Sequence, residues 1–292
     1  MTAPVAPEQG AAVWLRTCIE EFAGSVENTL NNGTGEPAWA RPLVGFSRGD
    51  DLLYQQFKRD IGPFYWTPQD AFANAFPSPH AGAEELTVIS WVLPQTDRTK
   101  ADSRKEKSYP SERWARSRKY GDDFNVKLRD HIVTVLAAAG YRAVAPVNHP
   151  LWERKDCQRY GLASVWSERH AAYVAGLGTF GLCDGLITAV GKAMRCGSVV
   201  ARIRIPPSDR PYTNHHAYCL FFSNGTCGVC MKRCPAGAIT RAGHDKKKCE
   251  AYEDSTTTPY VQSRFGIQAY GCGLCQTGVP CESRIPPHGK GA

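Results

Sequence analysis

The sequence predicts an α+β fold in two parts: a larger α/β portion, residues 1–205, and a smaller cysteine-rich portion, residues 206–292. Three observations carry this division. Apolar side chains at helical spacing alternate with β-rich apolar runs as far as Ile205. Pro206 and Pro207 then break the pattern. Finally, eight of the twelve cysteines fall between Cys219 and Cys281.

Composition bounds the problem further. The chain has 292 residues, 42% hydrophobic and 22% charged, which excludes wholesale disorder and fibrous repeats. No apolar run approaches the roughly 18 residues a membrane helix needs. The N-terminus, MTAPVAPEQG, carries neither a basic leader region nor a twin-arginine pair, so a cytoplasmic protein without a membrane partner is expected. The net charge of +7 is spread along the chain, with +3 before residue 206 (25 basic, 22 acidic) and +4 after it (10 basic, 6 acidic). That distribution is no nucleic-acid signature by itself.

The elements follow in order. Leu15, Ile19, Phe22, Val26 and Leu30 recur at steps of three and four and predict an amphipathic helix over 11–30, stopped by Asn31, Asn32 and Gly33. Residues 61–80 hold four prolines among aromatics and read as an irregular loop, either pinned to the core or walling a pocket. Leu86–Leu93 reads as a buried strand. Residues 97–119 carry nine Lys or Arg against four Asp or Glu, a solvated face or an anion contact. A helix is predicted over 124–139 with Gly140 as its stop, then a strand over 141–147 and a loop over 148–166. Ser167 is placed to N-cap a short helix running to Ala175. A glycine-rich stretch, 176–191, leads to a strand over 198–205.

The cysteines carry the chemistry. Cys227-x2-Cys230-x3-Cys234-Pro235 matches the last three cysteines and the proline of the bacterial ferredoxin run; Asn224 stands at the first position, and Cys219, five residues earlier, is the substitute. Cys249, Cys272-x2-Cys275 and Cys281 complete a set of eight, the count two [4Fe–4S] clusters require. A cubane offers four irons at tetrahedral corners, and a two-residue spacer lets one tight loop reach two of them. Zinc is the competing metal, but it favours two C-x2-C pairs about 15–20 residues apart. Here 41 residues separate Cys230 from Cys272. Structural or disulfide cysteines are the third reading. Cys18, Cys157, Cys183 and Cys196 read as buried free thiols, although Cys183 and Cys196 flank the glycine-rich stretch and a cofactor contact is the alternative.

Gly176-Leu177-Gly178-Thr-Phe-Gly181 fits the dinucleotide fingerprint by letter, but that motif needs a preceding strand and a following helix, and here the order reads helix then extended chain. Such glycines still imply close backbone packing or close approach to a ligand.

Glu168-RHAAYV-Ala175-Gly-Leu-Gly178-TF-Gly181, followed by Leu186-Ile-Thr188, Gly191 and Arg195, resembles the core motif of the epoxyqueuosine reductases and reductive dehalogenases. The string Cys249 … Tyr270-Gly271-Cys272-x2-Cys275-Gln276 is similar to the epoxyqueuosine reductase pattern as well. The resemblance spans about residues 165–281. It implies a nitroreductase-like α/β cobalamin-binding domain followed by a ferredoxin-like domain with two [4Fe–4S] clusters. It also implies crossover ligation, with one cluster on Cys219, Cys227, Cys230 and Cys281 and the other on Cys234, Cys249, Cys272 and Cys275. Gly176, Leu177, Gly178, Gly181, Cys183, Thr188 and Gly191 would lie against the cobalamin.

The departures from the family are specific. Leu162 stands where the epoxyqueuosine reductases carry a proton-donating Asp, and Leu182 and Cys183 replace a basic residue and an Asn. Five residues, not three, separate Cys275 from Cys281. Tyr160 and Arg195 are the acid candidates that remain. No tRNA-binding extension follows Cys281, so tRNA is not an expected partner. The expected activity is reduction of a small-molecule substrate at base-off cobalamin, with electrons from a ferredoxin or flavodoxin entering through the clusters. The alternative is a ferredoxin-type electron-transfer protein or corrinoid reductase acting on a partner protein.

Overall fold

The computed structural model describes residues 10–287. Residues 1–9, on which the reading of the leader sequence falls, and 288–292 lie outside the described residues.

In chain order the elements are α1 (Ala11–Ala23), β1 (Leu43–Arg48), α2 (Leu52–Ile61), α3 (Pro68–Ala75), β2 (Thr87–Pro94), α4 (Asp97–Lys105), α5 (Glu112–Arg116), α6 (Asp122–Ala138) and β3 (Ala143–Val144). They continue with β4 (Arg154–Cys157), β5 (Gly161–Ser164), α7 (Glu168–Val174), β6 (Gly178–Phe180), β7 (Leu186–Thr188) and β8 (Met194–Ala201). The cysteine-rich portion adds α8 (Leu220–Asn224), α9 (Val229–Arg233), β9 (Ile239–Thr240), β10 (Gly243–His244), α10 (Lys246–Tyr252) and α11 (Thr258–Phe265).

A four-stranded antiparallel sheet in the order β1-β2-β8-β3 forms the centre. Every residue of β2 is buried, as its unbroken apolar run requires of a strand covered on both faces. The two-residue period then sorts side chains between the faces. Ile89, Trp91 and Leu93 join Leu15 and Ile19 of α1 and Leu128, Ile132 and Leu136 of α6. Val88 and Val92 join Tyr54 of α2, Phe72 of α3 and the alanines of α7. The result is a mixed α/β architecture with helices on both faces. Gly197 is obligatory at this centre: a Cβ there would lie 2.4 Å from the Trp91 indole, which crosses β8 at that point. The Trp91 Nε1–H donates to Asn125 Oδ1 at 2.9 Å, so the buried polar atom is satisfied.

Several expectations need correction. The first helix stops at Gly24, and Val26 is 91% exposed, because Asn28 ties the following turn to the backbone of Ala23 and Trp39. Residues 61–80 are not all loop: Thr67 and Asp70 form a reciprocal capping box with Pro68 in the first turn and start α3. The predicted 141–147 strand shrinks to β3, since Pro146 opens a 3₁₀ turn. The loop expected over 148–166 contains the β4–β5 hairpin. The last strand of the sheet runs 194–201, earlier than read, while Ile203 and Ile205 continue as buried chain without ladder partners. α6 and α7 fall close to their predicted spans, and Ser167 Oγ accepts from the His170 N–H as the N-cap.

Candidate iron–sulfur site

Two groups of cysteines meet where α8, α9 and α10 pack against the glycine-rich segment. Cys219 precedes α8, Cys230 lies in α9, and together with Cys227 and Cys281 they line one cavity, whose other walls include Leu182, Ile187, Phe221 and Lys192. The other four cluster elsewhere: Cys249 feels the charge of Cys272 and Cys234, and Cys275 that of Cys272. Among the described residues no three His, Cys, Asp or Glu side chains converge on a single ion. Tetrahedral zinc needs sulfurs at about 2.3 Å from one point, whereas a cubane needs them around a volume, which suits a cavity with four cysteines in its wall.

The surroundings of the second group bear on the same question. Gly273 has φ +67°, and a Cβ there would overlap the Trp114 indole at 1.9 Å. Trp114 is 1% exposed, and among the described residues its Nε1–H has no hydrogen-bond partner. A buried, unpaired donor pressed on the Cys272–Cys275 loop fits an acceptor such as a sulfide or thiolate at that place. Burial pushes the Cys272 and Cys249 thiols up to about 12, with Glu253 and neighbouring sulfurs adding to the rise. Buried thiols such as those of Cys249 and Cys272 ionise only beside a compensating cation.

Basic side chains hold the loops. Arg233, next to Cys234, donates to the carbonyls of Leu274 at 3.2 Å and Thr277 at 3.0 Å, and to those of Glu106 at 2.7 Å and Ser103 at 3.0 Å beyond. It therefore staples the loop around Cys275 to the end of α4. Arg118 stacks on Tyr270 at 4.6 Å and donates to its carbonyl. Arg104 pairs with Glu282, next to Cys281, at 2.5 Å. Nothing in the local sequence marks Arg104 and Arg118 among the nine basic residues of 97–119; only the fold selects them.

Cys183 and Lys192 stand between the two groups. Lys192 Nζ donates to Cys183 Sγ at 3.2 Å. Cys183 contacts Cys230 and Cys275, one from each group, and these contacts, against the opposing effect of burial, hold its thiol well below the usual range. Burial alone would discharge Lys192, but the sulfurs of Cys183, Cys281, Cys275 and Cys230 more than offset it and keep the ammonium.

The glycine-rich segment is built differently from a ligand loop. A Cβ at Gly176 would lie 2.1 Å from the Asp209 carbonyl, at Gly178 2.3 Å from that of Ile187, and at Gly191 2.1 Å from that of Glu282. Thr188 is buried and its hydroxyl donates to the Gly191 carbonyl. Leu177 packs toward Gly45, Cys183 is buried, and Gly181 faces Ile187. At Gly176, Gly178 and Gly191 the glycine is required by close approach of the chain's own backbone. A helix precedes the segment and the β6–β7 hairpin follows, so the strand–turn–helix context of a dinucleotide site is absent there.

The two acid candidates are apart in their contacts. Arg195 pairs with Asp122 at 3.3 Å, and Asp122 pairs also with Arg118. Tyr160, at the turn of the β4–β5 hairpin and 39% exposed, has Arg159 and Lys246 over its ring at 5.2 and 5.6 Å. Lys246 Nζ donates to the carbonyl of Leu162 at 2.8 Å, and burial lowers its affinity for a proton. The hairpin is tied to α10 by Arg154–Glu250 and Lys247–Asp156 pairs.

Fold and cysteine arrangement together define a mixed α/β protein whose cysteines gather toward the end of the chain. No protein-family model matches the chain. An epoxyqueuosine reductase of Bacillus anthracis is 31% identical over 119 residues, 39% of this chain and 29% of that protein. A crystal structure of epoxyqueuosine reductase with an epoxyqueuosine-modified tRNA stem loop superposes with a TM-score of 0.50 at 17% identity, covering 94% of this chain and 67% of that one. A catabolic reductive dehalogenase superposes with a TM-score of 0.50 at 13% identity, covering 98% of this chain and 39% of that one. The resemblance noted in the sequence thus extends to a partial similarity with an epoxyqueuosine reductase, and the fold is one shared by epoxyqueuosine reductase and reductive dehalogenase structures. The chain spans less than a third of the length of that curated relative. A fold neighbour that holds a tRNA stem loop leaves the expectation against tRNA without support.

Proposed function

We propose that the protein is an iron–sulfur oxidoreductase with two [4Fe–4S] clusters, one held by Cys219, Cys227, Cys230 and Cys281 and the other by Cys234, Cys249, Cys272 and Cys275. The observation that carries this reading is the cavity walled by the first four cysteines. The orphaned Trp114 donor on the Cys272–Cys275 loop supports the second. Bound clusters supply reversible one-electron transfer at low potential. The chain's contribution is to hold the loops with Arg233, Arg118 and Arg104, to exclude water by burying Cys219, Cys230 and Cys281, and to keep the two centres adjacent.

Residues 1–205 are proposed as the acceptor domain and 206–292 as the electron-entry domain, fed by a ferredoxin or flavodoxin. The resemblance implies a cobalamin acceptor and a small-molecule substrate. Tyr160 remains the acid candidate, with its partly exposed ring flanked by Arg159 and Lys246. Arg195 is engaged by Asp122, which favours a positioning role.

A second reading, an electron-transfer protein acting on a partner, is favoured by the lack of a shared contact between Tyr160 and Arg195. Anaerobic purification with iron, cobalt and EPR analysis tests both. About eight irons per chain support the clusters, and one cobalt in addition supports the reductase. Eight irons without cobalt after reconstitution favour the partner reading, and absence of iron overturns both.

A further inference from the structure

The strongest feature outside the assigned ligands is the buried lysine at the junction of the two cysteine groups. Lys192 is 3% exposed. Its backbone is sewn to the ligand loop: its N–H donates to the Cys281 carbonyl at 2.9 Å, and the N–H of Ala193 donates to the Glu282 carbonyl at 3.2 Å. Gly191 permits this, since any side chain there would strike Glu282. Nζ is then anchored on Cys183 Sγ at 3.2 Å, and the side chain lines the cavity of Cys219, Cys227, Cys230 and Cys281. Cys183 touches Cys230 of that group and Cys275 of the other. One ammonium, fixed at both ends, therefore faces both proposed centres.

We propose that Lys192 is a potential-setting residue, whose buried positive charge raises the reduction potentials of both iron–sulfur centres, most strongly that of the centre on Cys219, Cys227, Cys230 and Cys281. This rests on the iron–sulfur reading above. Each centre gains one electron on reduction, so its net charge falls by one. A fixed cation beside it stabilises the reduced form more than the oxidised one, and the effect is large where water is excluded.

The test is an EPR-monitored redox titration of the anaerobically reconstituted full chain, with dithionite as reductant and iron measured on every sample. Lys192→Met keeps the length and removes the charge, and Lys192→Arg keeps the charge. The Met variant is expected to retain its iron and to lose at least tenfold in the one-electron equilibrium of the first centre, a fall of about 59 mV. The second centre is expected to move the same way by less, and the Arg variant to stay within twofold of wild type. A smaller shift in an iron-loaded Met variant overturns the proposal, as does an equal shift in the Arg variant. If the Met variant fails to hold iron, Lys192→Gln is titrated in its place against the same threshold. Loss of iron from both, with retention in the Arg variant, makes the lysine an assembly group and overturns the claim on potential. Failure of the wild-type chain to take up iron is a separate result and strikes the cluster reading itself.

Discussion

Glu168 begins the segment by which this chain resembles its relatives, and its contacts make a measurable claim. Arg129 Nε donates to Glu168 Oε1 at 2.9 Å, with the two side chains only 7% and 13% exposed. The Ser198 hydroxyl donates to the other carboxylate oxygen and itself accepts from the Trp166 indole at 3.0 Å. Arg129 reaches on to Asn148 at 3.2 Å. The group thus ties α6, α7 and β8 together inside the fold. Glu168→Gln keeps the shape but leaves the Arg129 guanidinium buried without a counter-charge. Breaking a buried pair from one side costs about 3–5 kcal/mol. Replacing both partners by neutral groups of similar volume costs far less, because the desolvation of the charge is removed with it. Glu168→Gln should therefore lower stability by roughly 3 kcal/mol or more, and Arg129→Met/Glu168→Gln should recover most of that loss. The assay is urea unfolding followed by tryptophan fluorescence, in which Trp166 reports on the site, with all variants at equal cluster loading. A loss below about 1 kcal/mol in Glu168→Gln, as for an exposed pair, would refute the reasoning. So would a double variant whose loss equals the sum of the singles.

Other perturbations follow from the same geometry. Arg233→Met removes four donor contacts to the loops around Cys275 and α4, and is expected to lower iron content toward half while the central sheet stays folded, as checked by iron analysis and circular dichroism. Gly273→Ala sets a methyl into the Trp114 ring at a positive φ, so it should cost about 1–3 kcal/mol and remove the second cluster's EPR signal before the first. His170, enclosed by Phe57, Tyr65 and Phe180, is pushed down to about 3 by burial, with Arg169 and Lys246 adding to the fall. The unfolded chain, with an ordinary histidine, then binds the extra proton between about pH 6.5 and 3. Stability should fall as pH drops through that window by at most roughly 1.4 kcal/mol per pH unit from this group. His170→Gln should flatten the slope, and an unchanged slope would count against the assignment.

The contrast between local and distant information runs through the chain. The α6 and α7 helices and the buried β2 strand were legible because periodicity, an N-cap serine and an apolar run are written in consecutive residues. The capping box before α3 is equally local, in Thr67, Pro68 and Asp70, but the surrounding prolines mask it as loop. The β4–β5 hairpin was not legible: its strands are short and polar, and α10, over 80 residues later, holds them through Arg154–Glu250 and Lys246–Leu162 contacts.

The sequence by itself determined the number and spacing of the cysteines, the likeness to epoxyqueuosine reductases over residues 165–281, and the presence of both helices and buried strands. These depend on residues near one another along the chain. Only the tertiary structure decided the sheet order β1-β2-β8-β3, the use of Gly176, Gly178 and Gly191 for backbone packing, and the use of Arg233, Arg118 and Arg104 to hold the cysteine loops. It alone set Lys192 and Cys183 between the two cysteine groups. The physical reason is the same in each case. Close backbone approach and the burial of a charge are properties of surfaces that meet only after folding, and no spacing along the chain encodes which surfaces those are.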